Sequence, residues 1–514
     1  MKKEKSSGAV KTVGVMMLIT LAGKVLGLLR DRMFTVRYGS GVTANAFLTA
    51  SRAPRVFFDT LFASAISASF IPIYSEALEK KGRDEANRFA GNFITVTALL
   101  CALLSALGIL FAEQLTAFFA DGYDGETAAL CAKLTRIMMP TTIFTGVAFS
   151  FVGVLQTLGE FNIPAAISLV SNGLIIVYYA ALNRRFGVTG LAVAFLIAWL
   201  LQALVQIPSL KKRGFRFRPS LSFRTEEMKK VFALMLPVMV SMWVLPLNQM
   251  ISAKFGSRLF NGAGVSAVEL SYNLYTVIAG VFVLSLTNYI FPRLSRQNAA
   301  EDLTGLRATV SGSLHTCLFV VLPMTAGLFV MARPLVSFLY GGGEFDAFSV
   351  GITARALRFM SLGMVGYGIQ AVLCRVYFAA RDGKTPLIAG AAAIILNLLL
   401  CMVLTPRLDV AGIALASALA FFANGILLAV PLKKRGLGCF DRVFLRDLLK
   451  MIVSALLTAG AAALVLHFTE GRGKLLALLL PTAAGAAVFA AAAFALRLPE
   501  TDYVRDKLRS VKHG

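Results

Sequence analysis

Ionisable side chains inside long apolar runs are the residues of this chain best placed to do chemistry. Each is costly in hydrocarbon unless a polar cavity or a partner receives it. Lys24 and Asp31 are seven residues apart in the first apolar stretch, hence on one helix face, with Arg30 beside Asp31. Arg52, Arg55 and Asp59 follow at i, i+3 and i+7 in the next stretch, again on one face, with Pro54 interrupting the backbone ladder. Pointing inward from two adjacent helices, these cations and acids would form a cationic pocket. Guanidinium groups bind phosphate and pyrophosphate oxygens in forked pairs, so such a pocket suits those anions. Packing roles compete with this reading: Arg30 and Arg32 could mark a helix end where snorkelling is cheap, and Arg52 and Asp59 could pair with each other.

The later half is poorer in charge. It offers Asn248, Gln249, Lys254, Glu269, Asn273 and Asn288, then Arg355, Arg358 and Arg375. Asn248-Gln249 follows Pro246 in mid-span, where a water-lined cavity and interhelical hydrogen bonds both fit. Arg136 and Arg358 stand near predicted helix starts, as interfacial anchors do. Gly341-Gly342-Gly343 lacks a following Lys-Ser/Thr and reads as a turn rather than a phosphate cradle.

The elements that must position these residues are membrane helices. Mean hydropathy is +0.74, 57% of residues are hydrophobic and 15% charged, far from soluble-domain usage. Apolar runs near 20 residues recur along the chain, each long enough to span as a helix and too continuous for barrel strands. The fold class is therefore an all-α polytopic membrane protein, with about 14 transmembrane helices expected. The first six fall near 12–30, 44–74, 88–119, 127–155, 162–183 and 187–209. The next six fall near 228–255, 265–292, 306–340, 346–379, 386–406 and 411–432, and two more near 446–468 and 474–497.

A duplication organises them. Ser209-Leu210-Lys211-Lys212-Arg213-Gly214 returns 222 residues later as Pro431-Leu432-Lys433-Lys434-Arg435-Gly436, and Arg136, Pro164 and Gly190 return as Arg358, Pro386 and Gly412. Upstream the offset slips by two, so that Ile71-Pro72 matches Phe291-Pro292 and Phe118 matches Phe338. Two six-helix lobes related by a pseudo-two-fold along the membrane normal are expected, with two C-terminal helices outside the repeat. The expected division is 1–210, a basic linker 211–230, 231–436, and 437–514.

The net charge of +24 follows alternate loops rather than forming one basic face, which argues for membrane orientation and against nucleic acid. Basic loops (Lys80 to Arg88, Lys211 to Lys230, Lys433 to Lys450, Arg505 to Lys512) should be cytoplasmic, leaving both termini inside. Lys211–Lys230 is expected to be a linker helix on the inner leaflet. The six cysteines lack metal or disulfide spacing and read as packing residues, and three histidines without paired spacing leave no visible metal site. The Gly- and Ala-rich last two helices fit tight packing slightly better than a groove for a lipid tail.

The stretch Lys24-Val25-Leu26-Gly27-Leu28-Leu29-Arg30-Asp31, with Tyr38-Gly39-Ser40-Gly41, Asn45-Ala46-Phe47, Pro54 and Ser69-Phe70-Ile71-Pro72, resembles the MurJ/MviN family. These are lipid II flippases of the multidrug/oligosaccharidyl-lipid/polysaccharide exporter superfamily, and the resemblance covers essentially the whole chain. It implies export of undecaprenyl-pyrophosphate-linked disaccharide-pentapeptide, alternating access between two lobes, and a tail groove on the last two helices. The family's first-helix arginine is matched by Lys24, and its Arg-Asp pair by Arg30 and Asp31. Its acid before Ala-Phe is replaced by Asn45, a second-helix arginine by Phe58, and a second-lobe Asp-Arg pair by Tyr272 and Asn273.

The expectation is a transporter, not an enzyme: a lipid II flippase of the bacterial cytoplasmic membrane. Its substrate would be held by Lys24, Arg30, Asp31, Arg52, Arg55, Asp59, Asn248 and Asn273. No cofactor is expected beyond coupling to a cation or to the membrane potential, where one charge crossing 100 mV is worth about 2.3 kcal/mol. Expected partners are the lipid-linked substrate and membrane lipids, with the wall-synthesis machinery a further candidate and a monomer the expected state. The rivals are a flippase for another polyprenyl-linked glycan, and a membrane glycosyltransferase or wall-machinery scaffold. Short outer loops without a catalytic constellation weigh against the glycosyltransferase.

Overall fold

The computed structural model describes residues 2–58, 66–242, 244–438, 441–469 and 471–501. Among these every regular element is helical, apart from one isolated bridge between Gly342 and Phe345. That bridge closes the triple-glycine segment, with Gly342 and Gly343 at positive φ, as a turn.

Two compact units divide the chain: Met1–Met250 with Phe260–Ala263, and Ile251–Leu259 with Gly264–Gly514. Up to Val177 the first unit contains α1 (Lys2–Tyr38), α2 (Val42–Phe58), α3 (Ile71–Lys80), α4 (Arg83–Leu110), α5 (Ala112–Phe119), α6 (Gly125–Met138), α7 (Thr141–Thr157) and α8 (Asn162–Val177). It continues with α9 (Asn183–Leu204), α10 (Ile207–Lys212) and α11 (Glu226–Met242), and α12 (Val244–Ser257) carries the boundary. The second unit is built from α13 (Ala263–Ala299), α14 (Leu303–Leu339), α15 (Ala347–Ala379), α16 (Lys384–Lys434), α17 (Arg442–Thr469) and α18 (Leu476–Ala495). α1 overruns both ends of the helix expected at 12–30.

The duplication is visible in the helix bounds. Arg83 to Phe119 becomes Leu303 to Leu339, Gly125 to Thr157 becomes Ala347 to Ala379, and Asn162 to Lys212 becomes Lys384 to Lys434. Nine stretches of the described residues are long and apolar enough to cross a membrane, and two of them, Asn162–Lys212 and Lys384–Lys434, are 51 residues each. A straight helix of that length would run about 77 Å, more than twice a hydrocarbon core of about 30 Å. Neither runs straight. Gly187 (φ 54, ψ −150) breaks the first and Asp409 (φ 52, ψ −133) the second. Across the second break Ser417 Oγ donates to Asn397 Oδ1 at 3.5 Å, atoms a straight helix would hold about 30 Å apart. Across the first, the Tyr178 hydroxyl donates to the Gly187 carbonyl at 2.6 Å. Each stretch is two antiparallel passes.

Small residues set the packing distance, as expected where lipid supplies no hydrophobic drive between helices. A methyl added to Gly363 of α15 would meet Ala418 Cα of α16 at 3.0 Å, and one on Gly485 of α18 would meet Thr458 Cγ2 of α17 at 3.2 Å. The Ala-rich last pair is thus tightly packed. Ile388, Ile395, Leu399 and Met402 form an exposed stripe on α16, the face that hydrocarbon would cover. Cys101, Cys131, Cys317 and Cys401 are buried free thiols and Cys374 is a half-buried one, in keeping with packing roles; Cys439 lies outside the described residues.

The same ion pair closes one end of each unit. Arg213 donates to Glu160 Oε2 at 2.6 Å and to the Leu158 carbonyl at 2.6 Å. Its repeat equivalent Arg435 donates to Asp382 Oδ2 at 2.7 Å and lies over the Tyr377 ring at 5.4 Å. Burial would raise both carboxyls. For Glu160, Arg213 and the Asn162 amide outweigh it, and for Asp382, the Thr385 amide and Arg435 do, so both sit below the usual carboxylate range.

The helix expected across Lys211–Lys230 does not form. α10 stops at Lys212 and the next helix starts at Glu226. Gly214 adopts φ 77, and Asn92 of α4 then captures the chain, donating to the Ser222 carbonyl and accepting from its amide, both at 2.7 Å. Those bonds occupy the groups a helix would have used.

Candidate functional site

The first unit carries most of the expected site. On α1, Arg30 donates through Nε (3.0 Å) and Nη2 (2.7 Å) to Asp31 Oδ1, and through Nη1 (3.0 Å) to Asn172 Oδ1 of α8. Asn172 is 7% exposed and returns a bond from Nδ2 to the Gly23 carbonyl at 3.2 Å. This network fixes the Arg30 fork and ties α1 to α8 at two levels. Lys24, seven residues before Asp31, is exposed and makes no ion pair among the described residues. Sharing a helix face did not bring it to Asp31, since seven residues is about 10 Å of rise.

Arg52 is 3% exposed, ten residues into α2, and donates from Nη1 to the Gln249 carbonyl of α12 at 3.1 Å. Asn248, beside that carbonyl, is half-buried. One turn further, Arg55 is exposed and folds back on its own helix, bonding the Ser51 carbonyl and hydroxyl at 3.3 Å each. Pro54, between them, leaves the Ala50 carbonyl without its helical donor. Asp59 lies outside the described residues. Asn273 is half-buried on α13 of the second unit.

The turn into α2 explains Asn45. Its Nδ2 donates to the Ser40 carbonyl at 2.7 Å, and its own carbonyl accepts from the Tyr123 hydroxyl at 3.0 Å. Thr49 shares that hydroxyl at 2.6 Å. Burial pushes the Tyr123 phenol well above its ordinary range, with the Thr49 bond opposing. Tyr123 sits in the short loop between α5 and α6. Asn172, Tyr123 and the Gln249 carbonyl were all missed from the sequence, because their partners are 74 to 197 residues away and leave no local pattern.

Chemically, the unit presents a forked arginine locked to an acid, a buried arginine on a backbone carbonyl, and two exposed cations. Guanidinium and ammonium groups so placed are of the chemical kind that receives an anion such as phosphate. Solved structures share the architecture: a lipid II flippase MurJ in an inward closed conformation aligns over 96% of this chain and 99% of its own, with TM-score 0.79 and 24% identity. An inward-facing multidrug MATE-family transporter of the MOP superfamily aligns over 82% and 97%, with TM-score 0.68 and 14% identity. The fold is thus that of the MOP transporters.

Sequence comparison narrows this to a family. The model of the family described as lipid II flippase MurJ matches residues 36–483, and the chain belongs to that family. The lipid II flippase MurJ of Burkholderia cenocepacia is 30% identical over 449 residues, covering 86% of this chain and 87% of the relative. A probable lipid II flippase MurJ of Vibrio cholerae is 29% identical, covering 84% of each. The chain is a multi-pass membrane transporter rather than an enzyme.

Proposed function

We propose that this chain moves lipid II, the undecaprenyl-pyrophosphate-linked peptidoglycan precursor, from the inner to the outer leaflet of the bacterial cytoplasmic membrane by alternating access. The observation that carries this reading is the family match across residues 36–483. Arg52, buried on α2, and Arg30, oriented by Asp31 and Asn172, would take pyrophosphate oxygens. Lys24 and Arg55 would extend the cationic surface, Asp59 would orient it, and Asn248 and Asn273 would bond the sugar-peptide headgroup. The basic loops would face the cytoplasm with both termini inside, and a cation gradient or the membrane potential would drive the cycle. The chain would act as a monomer, within reach of the wall-synthesis machinery.

Complementation tests the reading. In a host depleted of its lipid II flippase, this chain should restore surface access of lipid II, and Arg52→Ala and Lys24→Ala should abolish the rescue at normal membrane levels. No rescue despite good expression would favour another polyprenyl-linked glycan, the alternative that Asn45, Tyr272 and Asn273 support by departing from the family pattern. Rescue that survives both substitutions would remove the cationic surface from the mechanism.

A further inference from the structure

One position carries opposite charge in the two repeats. In the first unit Arg136 of α6 donates from Nη2 to Glu113 Oε1 of α5 at 2.7 Å. Arg136 recurs as Arg358, while Glu113, at the offset of its own segment, recurs as Arg333. An ion pair has become two like charges, and among the described residues no carboxylate lies within ion-pair distance of either. Two arginines at positions that held an ion pair, neither with an acidic partner, suit an anion that could join them.

Arg358 is half-buried, its Nε donating to the Phe329 carbonyl at 3.2 Å and its guanidinium 5.5 Å from the Phe329 ring centre. It lines a cleft of about 370 Å³ with Phe329, Val330, Ala463, Leu466 and His467. Arg333 lies one turn along α14 from Phe329 and is exposed. Ala463, Leu466 and His467 come from α17, which has no counterpart in the first unit. The added helix therefore supplies an apolar wall and a further nitrogen donor where the acid was lost.

We propose that this cleft between α14, α15 and α17 binds the phosphate of an anionic bilayer phospholipid. Arg358 and Arg333 take the phosphate oxygens, and Val330 and Leu466 contact the start of the acyl chains. The cleft is far too small for a disaccharide-pentapeptide headgroup, and binding here does not depend on the substrate or orientation proposed above.

Native mass spectrometry of the full chain, titrated with phosphatidylglycerol, phosphatidylcholine or undecaprenyl phosphate, tests the assignment. Phosphatidylglycerol should be retained preferentially, and Arg358→Gln should weaken it on the order of tenfold. Arg333→Glu, which rebuilds the first unit's ion pair at an exposed position, should weaken it as much with unchanged thermal stability, and keeps the test valid if Arg358→Gln does not fold. Arg136→Gln should leave retention unchanged. Equal retention of the two phospholipids, or phosphatidylglycerol retention that survives Arg333→Glu, would overturn the site. Preferential retention of undecaprenyl phosphate, lost in the same variants, would overturn the phospholipid assignment.

Discussion

Where the first unit reverses at Gly187, the second reverses at Asp409 with almost the same backbone angles, φ 54, ψ −150 against φ 52, ψ −133. The neighbouring turn repeats the contrast, with Gly159 at φ 77 and Arg381 at φ 56. Glycine adopts such angles freely, whereas a residue with a β-carbon is strained by about 1–2 kcal/mol. The second unit keeps the geometry without the residue that makes it easy, so the packed helices on either side impose the turn. At Asp409 the carboxylate also lies 3.7 Å from Arg355, a weak local compensation. The units diverge in charge as well: the first places arginines at the candidate site, the second an amide at Asn273.

The largest expected effect separates the units by chemistry. Arg52→Ala should lower lipid II export by about 100-fold, the scale of losing charge-assisted hydrogen bonds, while Asn273→Ala should cost only a few-fold. Equal losses in a surface-access assay would erase the proposed asymmetry. Next comes backbone strain: Gly187→Ala should destabilise by about 1–2 kcal/mol and Asp409→Gly should stabilise by about 1 kcal/mol in detergent unfolding. If both destabilise, the Arg355 contact rather than the backbone sets the energy at Asp409.

The paired clasps should differ more finely. Glu160→Ala removes the acidic partner of Arg213 and should cost about 1 kcal/mol. Asp382→Ala should cost somewhat more, since that carboxylate also accepts from the Thr385 amide and hydroxyl, and a double-mutant cycle against each arginine isolates the ion-pair part. The smallest effect is with pH. Both carboxyls lie below their unfolded values, so the stability they contribute is complete above the ordinary carboxylate range, about 4, and is lost as pH falls through the lowered folded values. Glu160→Gln should flatten that acid limb of a thermal-shift profile.

Much of the architecture was legible in the residues. Apolar runs gave the spans because bilayer thickness fixes their length, and Ser209 to Gly214 against Pro431 to Gly436 set an offset that helix bounds later repeated. Arg52 and Arg30 were legible as candidates because intramembrane charge is rare. Their partners were not: Arg30 to Asn172 and Arg52 to the Gln249 carbonyl span 142 and 197 residues. The linker failed for a related reason, since local composition favoured a helix on the membrane while Asn92, 130 residues from Ser222, held the chain extended.

The two 51-residue stretches also constrain how the protein is made. With a single residue at each bend, there is no spacer to let the first pass settle before the second leaves the ribosome. Each stretch must enter the bilayer as one folded piece, committed together and withdrawn together. A substitution that straightened the bend would therefore fail during synthesis, and the loss would appear as missing protein before any transport could be measured.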